Sequence, residues 1–196
     1  GLDELRGPLS RTVLEALRAA RAGRRALVLL TPLDGGRVHS FAPGDPGLSP
    51  QLQTAASRAL ATDDAAVVAT AEGPIFVQAF NPPLELVIVG AVHIADPLAR
   101  IAFVLGYAVT IIDPREAFAR KERWAGPGLV IDVITDYPDE VLGARAIDHR
   151  TAIVALTHDP KIDDPALEVA LRGPAFYVGA LGSAKTHASR LGRLAE

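Results

Sequence analysis

Short, almost fully apolar segments alternate with helical segments over residues 84–196, and this alternation predicts an α/β fold with a parallel sheet. Three observations carry the prediction. Residues 84–89 form a run of the kind buried on both faces of a sheet, closed by Gly90. Leu98, Ile101, Ala102 and Leu105 then recur at helical spacing before a second apolar run at 107–112, which ends on Asp113. Further apolar runs at 129–135, 151–156 and 175–178 are separated by helical or turn-rich stretches. With right-handed crossovers these strands make a Rossmann-like sheet in the order 3-2-1-4-5. Its ligand crevice is expected at the carboxyl ends of the first and fourth strands.

Taken in order, residues 1–80 read as a small α+β domain of two helix–hairpin units. A helix over 8–22 is carried by Val13, Leu14 and Leu17, with arginines on its other side. A strand at 26–31, a turn at 33–36 and a returning strand at 37–42 follow. The pattern repeats with a helix at 49–61, a strand at 65–71, a turn at Glu72-Gly73-Pro74 and a strand at 75–80. One sheet with both helices on the same face is the expected arrangement. Asn81-Pro82-Pro83 is the expected linker, because two prolines interrupt helix and ladder alike. Beyond it, Pro97 suits the first turn of the first helix and Gly106 its end. Residues 114–123 read as a loop and short helix, 138–142 as a helical turn, 163–171 as a helix with Pro165 in its first turn, and the last helix follows Ser183 and runs to Glu196. The Rossmann-like domain is thus expected over 84–196. The absence of Met and a helix running to the last residue lead to the expectation that the native chain continues.

The turn after the first strand departs from the dinucleotide fingerprint G-x-G-x-x-G/A. Gly90 and Ala95 fill its first and third positions, but Val92 stands at the second, where a glycine lets backbone amides approach a pyrophosphate. Asp113 stands where the acidic residue of that unit falls, about 20 residues after the turn.

Composition removes several classes of function. A net charge of −3 leaves no footprint for nucleic acid or for an anionic membrane surface. None of the 196 residues is a cysteine, which excludes disulfides, thiolate metal sites and persulfide chemistry carried on them. There is no apolar run of about 18 residues and no visible signal peptide, so a cytoplasmic location is expected.

The scheme brings a set of polar residues to the carboxyl edge, where loops in this architecture carry function. His93 lies after strand one, Asp113 and Arg115 after strand two, and Thr157, His158 and Asp159 after strand four. Gly179, Gly182 and Ser183 lie at strand five and the last helix. With Gly90, Ala91 and Val92 they form the candidate binding set. Each has a plainer alternative. His93 either meets a ligand or holds the turn, and Asp159 either binds or caps. Asp113 takes a ribose or merely forms a turn; Arg115 takes a 2′-phosphate or is a surface charge. The stretch 179–183 is a second anion site or a strand-to-helix turn with Ser183 as N-cap. His93, His158, His187 and Asp159 lack the spacing of a metal motif, so no metal site is expected. Ser183 lacks the context of a nucleophile elbow, and no catalytic set is assigned.

Four separated stretches, in order, resemble the XdhC/CoxI family. They are residues 90–95 (GAVHIA), Asp113-Pro114-Arg115, residues 157–163 (THDPKID), and residues 176–183 (FYVGALGS) with His187 and Arg190. The resemblance covers residues 82–196 and implies a Rossmann domain. It implies an accessory factor of xanthine dehydrogenase and related molybdenum hydroxylases, one that binds molybdenum cofactor, supports its sulfuration and delivers it to the apoenzyme. It places ligand contacts on Ala91, His93, Asp113, Arg115, His158, Asp159, Gly182 and Ser183. Many members carry a G-G-C-type segment. With no cysteine here, sulfur handling is expected of a cysteine desulfurase or a separate cysteine-containing chain. A homodimer is open as an assembly. The competing readings are an NAD(P)-dependent oxidoreductase and a nucleotide-sensing regulatory module. Val92 and the lack of a Tyr–Lys or Cys-based hydride-transfer set count against the oxidoreductase, so a cofactor-binding chaperone is the favoured reading over an enzyme.

Overall fold

The structure is a computed structural model that describes residues 9–124, 126 and 128–195. The chain divides into two compact units, with the boundary between Pro82 and Pro83.

In the first unit Ser10 caps α1 (Arg11–Ala22) by accepting the Val13 N–H at 3.3 Å. The expected start at Pro8 lies outside the described residues. Strands β1 (Leu27–Pro32) and β2 (His39–Phe41) form an antiparallel hairpin. Ser49 caps α2 (Pro50–Thr62), with Pro50 in its first turn, and β3 (Ala66–Thr70) and β4 (Gly73–Phe80) make the second hairpin. Its loop is Ala71-Glu72, and Gly73 and Pro74 pair as strand rather than turn. The hairpins join through β1 and β4 into an antiparallel sheet of order β2-β1-β4-β3.

The two helices do not share a face of this sheet. Val13 and Ala20 of α1 pack with Leu27 and Leu29, whereas Leu52, Ala56 and Ala59 of α2 pack with Val28 and Leu30. Side chains alternate along a strand, so these two pairs point to opposite sides. The cause is β1 itself. Residues 27–30 are apolar and buried at every position, and one helix on one face would have left half of them in water.

In the second unit β5 (Glu85–Val89), β6 (Ala108–Ile112), β7 (Ile131–Ile134), β8 (Thr151–Ala155) and β9 (Tyr177–Ala180) form a wholly parallel sheet of order β7-β6-β5-β8-β9. Counted within the unit this is third-second-first-fourth-fifth. All five residues of the central β5 are buried. Leu86 and Ile88 pack toward α3 (Ala95–Val104), and Val87 and Val89 toward α4 (Pro138–Ala144) and α5 (Pro160–Arg172). Helix α3 closes in a Schellman motif: Gly106, at φ +85°, donates to Phe103 O, and Tyr107 donates to Ala102 O.

Two boundaries differ from expectation. Helix α5 starts at Pro160, not at residue 163, with the Asp159 side chain accepting the Lys161 N–H. The sequence holds two Asp-Pro pairs, Asp159-Pro160 and Asp164-Pro165, and the first is the cap; Pro165 therefore lies inside the helix. Strand β9 runs two residues later than the apolar run at 175–178, because parallel pairing with β8 extends through Gly179 and Ala180. Ser183 then caps α6 (Ala184–Leu194). No helix among the described residues is long and apolar enough to cross a membrane.

Candidate functional site

Strands β5 and β8 are neighbours whose following segments turn to opposite faces, so their carboxyl ends flank a crevice. The turn after β5 carries Gly90 at φ +106°, a backbone open chiefly to glycine. A Cβ there would lie 2.5 Å from Thr157 Cγ2 and 3.2 Å from Thr157 N. Gly90 thus sets how closely the first and fourth loops approach.

Asp113 and Arg123 fix the rest of the turn. Asp113, at the end of β6, is fully buried. Its Oδ2 accepts the Ala91 N–H and Arg115 Nη2, each at 2.8 Å. Its Oδ1 accepts the Arg115 N–H at 3.0 Å and Arg115 Nε at 2.8 Å. Four donors meet the roughly four lone-pair positions of a carboxylate. In this conformation Asp113 has no acceptor left for a ribose hydroxyl, and the guanidinium of Arg115 lies against Asp113 with its face on the Phe118 ring, 4.3 Å from the centroid. Burial pushes the Asp113 carboxyl up; the Arg115 guanidinium and the two backbone N–H groups outweigh this and hold it below its ordinary value of 3.8. Arg123, on the 3₁₀ turn Lys121–Trp124, donates to the carbonyls of Ala91 (2.8 Å) and Val92 (3.2 Å).

The loop after β8 is organised by Asp163, a fully buried carboxylate in α5. Its Oδ1 accepts the Thr157 hydroxyl at 2.7 Å, and its Oδ2 accepts the His158 N–H at 3.0 Å. His158 stands at φ +64°, the left-handed region, while its side chain is exposed. That conformation costs a non-glycine residue about 1–2 kcal/mol. His158→Gly is therefore expected to raise stability by about 0.5–1 kcal/mol, the remainder being lost to the greater freedom of glycine in the unfolded chain. Denaturant melts of the pair measure it, and a loss of stability would show that the loop is not strained there.

Three loops meet around a cleft of about 490 Å³ lined by Val92, His93, Ile94, Pro97, Leu156, His158 and Leu181. A cavity of that size accommodates a small organic cofactor. The lining is largely apolar with two imidazoles and no carboxylate. Of the candidate residues, Val92, His93 and His158 come together here. Gly90 and Ala91 lie in the turn behind them, and Asp113 and Arg115 pair with each other. Thr157 bonds Asp163, and Asp159 caps α5. Gly179 lies within β9, and Gly182 precedes the α6 cap. Ser183 accepts the Thr186 N–H at 3.2 Å. Among the described residues no three His, Asp or Glu side chains gather as metal ligands.

Sequence reasoning overlooked the roles of Arg123 and Asp163. Nothing local marks Arg123 in a run of charged residues. Asp163 did carry a signal: with Ala166, Leu167 and Ala170 it occupies i, i+3, i+4 and i+7, the buried face of α5. A carboxylate on an apolar helix face is expected to have buried donors.

A family model described as the XdhC Rossmann domain matches residues 86–196, more than half of the chain. A relative in Escherichia coli (strain K12), the molybdenum cofactor insertion chaperone PaoD, is 32% identical over 117 residues, which are 60% of this chain and 29% of that protein. The chain thus spans less than a third of that relative's length. A crystal structure described as a xanthine dehydrogenase from Bacillus halodurans has a TM-score of 0.68 over 93% of this chain and 55% of that one, at 18% identity. At that identity the likeness speaks to the fold.

Proposed function

The chain belongs to the XdhC family through its Rossmann domain, and from that premise we propose that it is an accessory protein of molybdenum hydroxylases, of the xanthine dehydrogenase or CO dehydrogenase type. Its cargo is the molybdenum cofactor, held in the cleft at the carboxyl ends of β5 and β8 and passed to an apoenzyme. The observation that carries this reading is the cleft's chemistry: apolar walls for a flat ring system and two imidazoles, His93 and His158, for anionic groups of the cargo. The insertion chaperone among its relatives supports the direction of the assignment. The closed Asp113–Arg115 pair and Val92 in the turn count against a dinucleotide in the ordinary Rossmann pose. Sulfuration of the cargo is assigned to a separate desulfurase or cysteine-containing chain, since these residues hold no thiol.

The test is reconstitution. A molybdenum hydroxylase apoenzyme given free molybdenum cofactor is expected to regain activity several-fold faster with the purified chain present, and His93→Ala or His158→Ala is expected to abolish the gain. No acceleration, together with turnover of NAD(P)H against an alcohol or aldehyde, would replace the chaperone reading with an oxidoreductase.

A further inference from the structure

We infer that Asp163 and Arg190 are a positioning pair that couples two walls of the cleft, so that the seat of His158 depends on a residue of α6 whose hydrogen bonds go to Asp163 and Leu181 O rather than to the His158 loop. Asp163 holds the His158 loop, as above. The same Oδ2 that accepts the His158 N–H also accepts Arg190 Nη2, at 3.2 Å. Arg190 is 3% exposed. Its Nη1 and Nη2 also donate to Leu181 O, at 3.5 and 3.4 Å, and Leu181 lines the cleft opposite the first loop. One guanidinium therefore ties the loop after β9 to the carboxylate that shapes the loop after β8.

The arrangement differs from an ordinary helix clamp. Neighbouring Asp164 and Arg193 already join α5 to α6, with Arg193 Nε 2.5 Å and Nη2 3.2 Å from the two carboxylate oxygens. Arg190 Nε has no hydrogen-bond acceptor and stands at ion-pair distance, 3.7 Å, from Asp164 Oδ1, so the hydrogen bonds of the guanidinium go to Asp163 and Leu181 O and not to Asp164. His158, at φ +64°, keeps a conformation that its backbone disfavours, and such a residue persists only where its surroundings over-determine it. Asp163 and Arg190 supply that constraint.

The ligand-free full chain decides this by NMR. The chain has 5 histidines; His158 is assigned by its loss in His158→Gln, and His39, in the other unit, is the internal reference. Arg190→Lys keeps the charge and loses the fork. It is expected to move or broaden the His158 Cε1–Hε1 signal together with the Leu181 methyls. Arg193→Ala removes the neighbouring clamp and is expected to leave His158 at its wild-type position even if the melting temperature falls as far. Thr157→Val, which cuts the hydroxyl's links to Asp163 and to the Asp159 N–H but leaves Arg190 and Leu181 O in place, is expected to move His158 and not Leu181. A His158 signal unchanged in Arg190→Lys, or shifted equally by Arg193→Ala, would overturn the coupling. With molybdenum cofactor as probe, the Arg190→Lys chain is expected to bind at least tenfold more weakly. That arm alone rests on the proposed function: cofactor binding to neither chain sinks the proposed function, while the ligand-free spectra still decide the coupling.

Discussion

Gly90→Ala is expected to destabilise the second unit by about 2–5 kcal/mol, the sum of a disfavoured backbone and a steric clash. At φ +106° any side chain is strained, and the new Cβ would stand 2.5 Å from Thr157 Cγ2. Gly106 separates the two contributions. It has φ +85° with no atom within 4 Å of its would-be Cβ, so Gly106→Ala bears the backbone cost alone, about 1–2 kcal/mol. Thr157→Ser in the Gly90→Ala background removes the clashing methyl and is expected to restore part of the loss. The coupling between the two substitutions, read from denaturant melts, is then favourable. Equal costs at Gly90 and Gly106 would show that the approach of the two loops is not tight.

The second large effect belongs to Asp113. Asp113→Asn leaves four donors facing one carbonyl oxygen and an amide. Arg115 is partly exposed and regains water, but the buried Ala91 N–H keeps a poorer acceptor or none. A cost of about 2–4 kcal/mol follows. Its pH dependence has a fixed sign. The folded carboxyl titrates below its ordinary value of 3.8, so the stability it contributes is fully present above that value and is lost as pH falls through the folded value. The stability gap between wild type and Asp113→Asn should therefore be flat near neutrality and narrow below about pH 4. A gap that widens in acid would contradict the assignment.

These two residues show what was legible in the sequence and what was not. Gly90 and Asp113 were found from spacing alone, because a strand–turn–helix–strand unit puts a glycine and an acid at fixed places. The roles of Asp113 were not, since whether its oxygens face a ligand or Arg115 is decided by the path of residues 114–123, which has little periodicity. In the first unit the elements were readable from alternation and turns, but the faces were not assigned correctly. Helices on opposite sides follow from the four consecutive buried positions of β1, a pattern visible in the sequence as a continuous apolar run. The cleft was legible as three loops. Its apolar lining was not, because Ile94, Pro97, Leu156 and Leu181 look like ordinary core or helix residues until the fold turns them toward one space.

The central claim is that this cleft holds the molybdenum cofactor. Its most direct measurement is the affinity of the full chain for isolated molybdenum cofactor, compared between wild type and Leu181→Trp, which fills the cleft from an exposed loop and keeps the backbone carbonyl that accepts from Arg190. Tight binding by wild type and loss of at least tenfold in the variant, at an unchanged melting temperature, is the predicted result. Equal affinity in the two chains, or no binding by either, would contradict it.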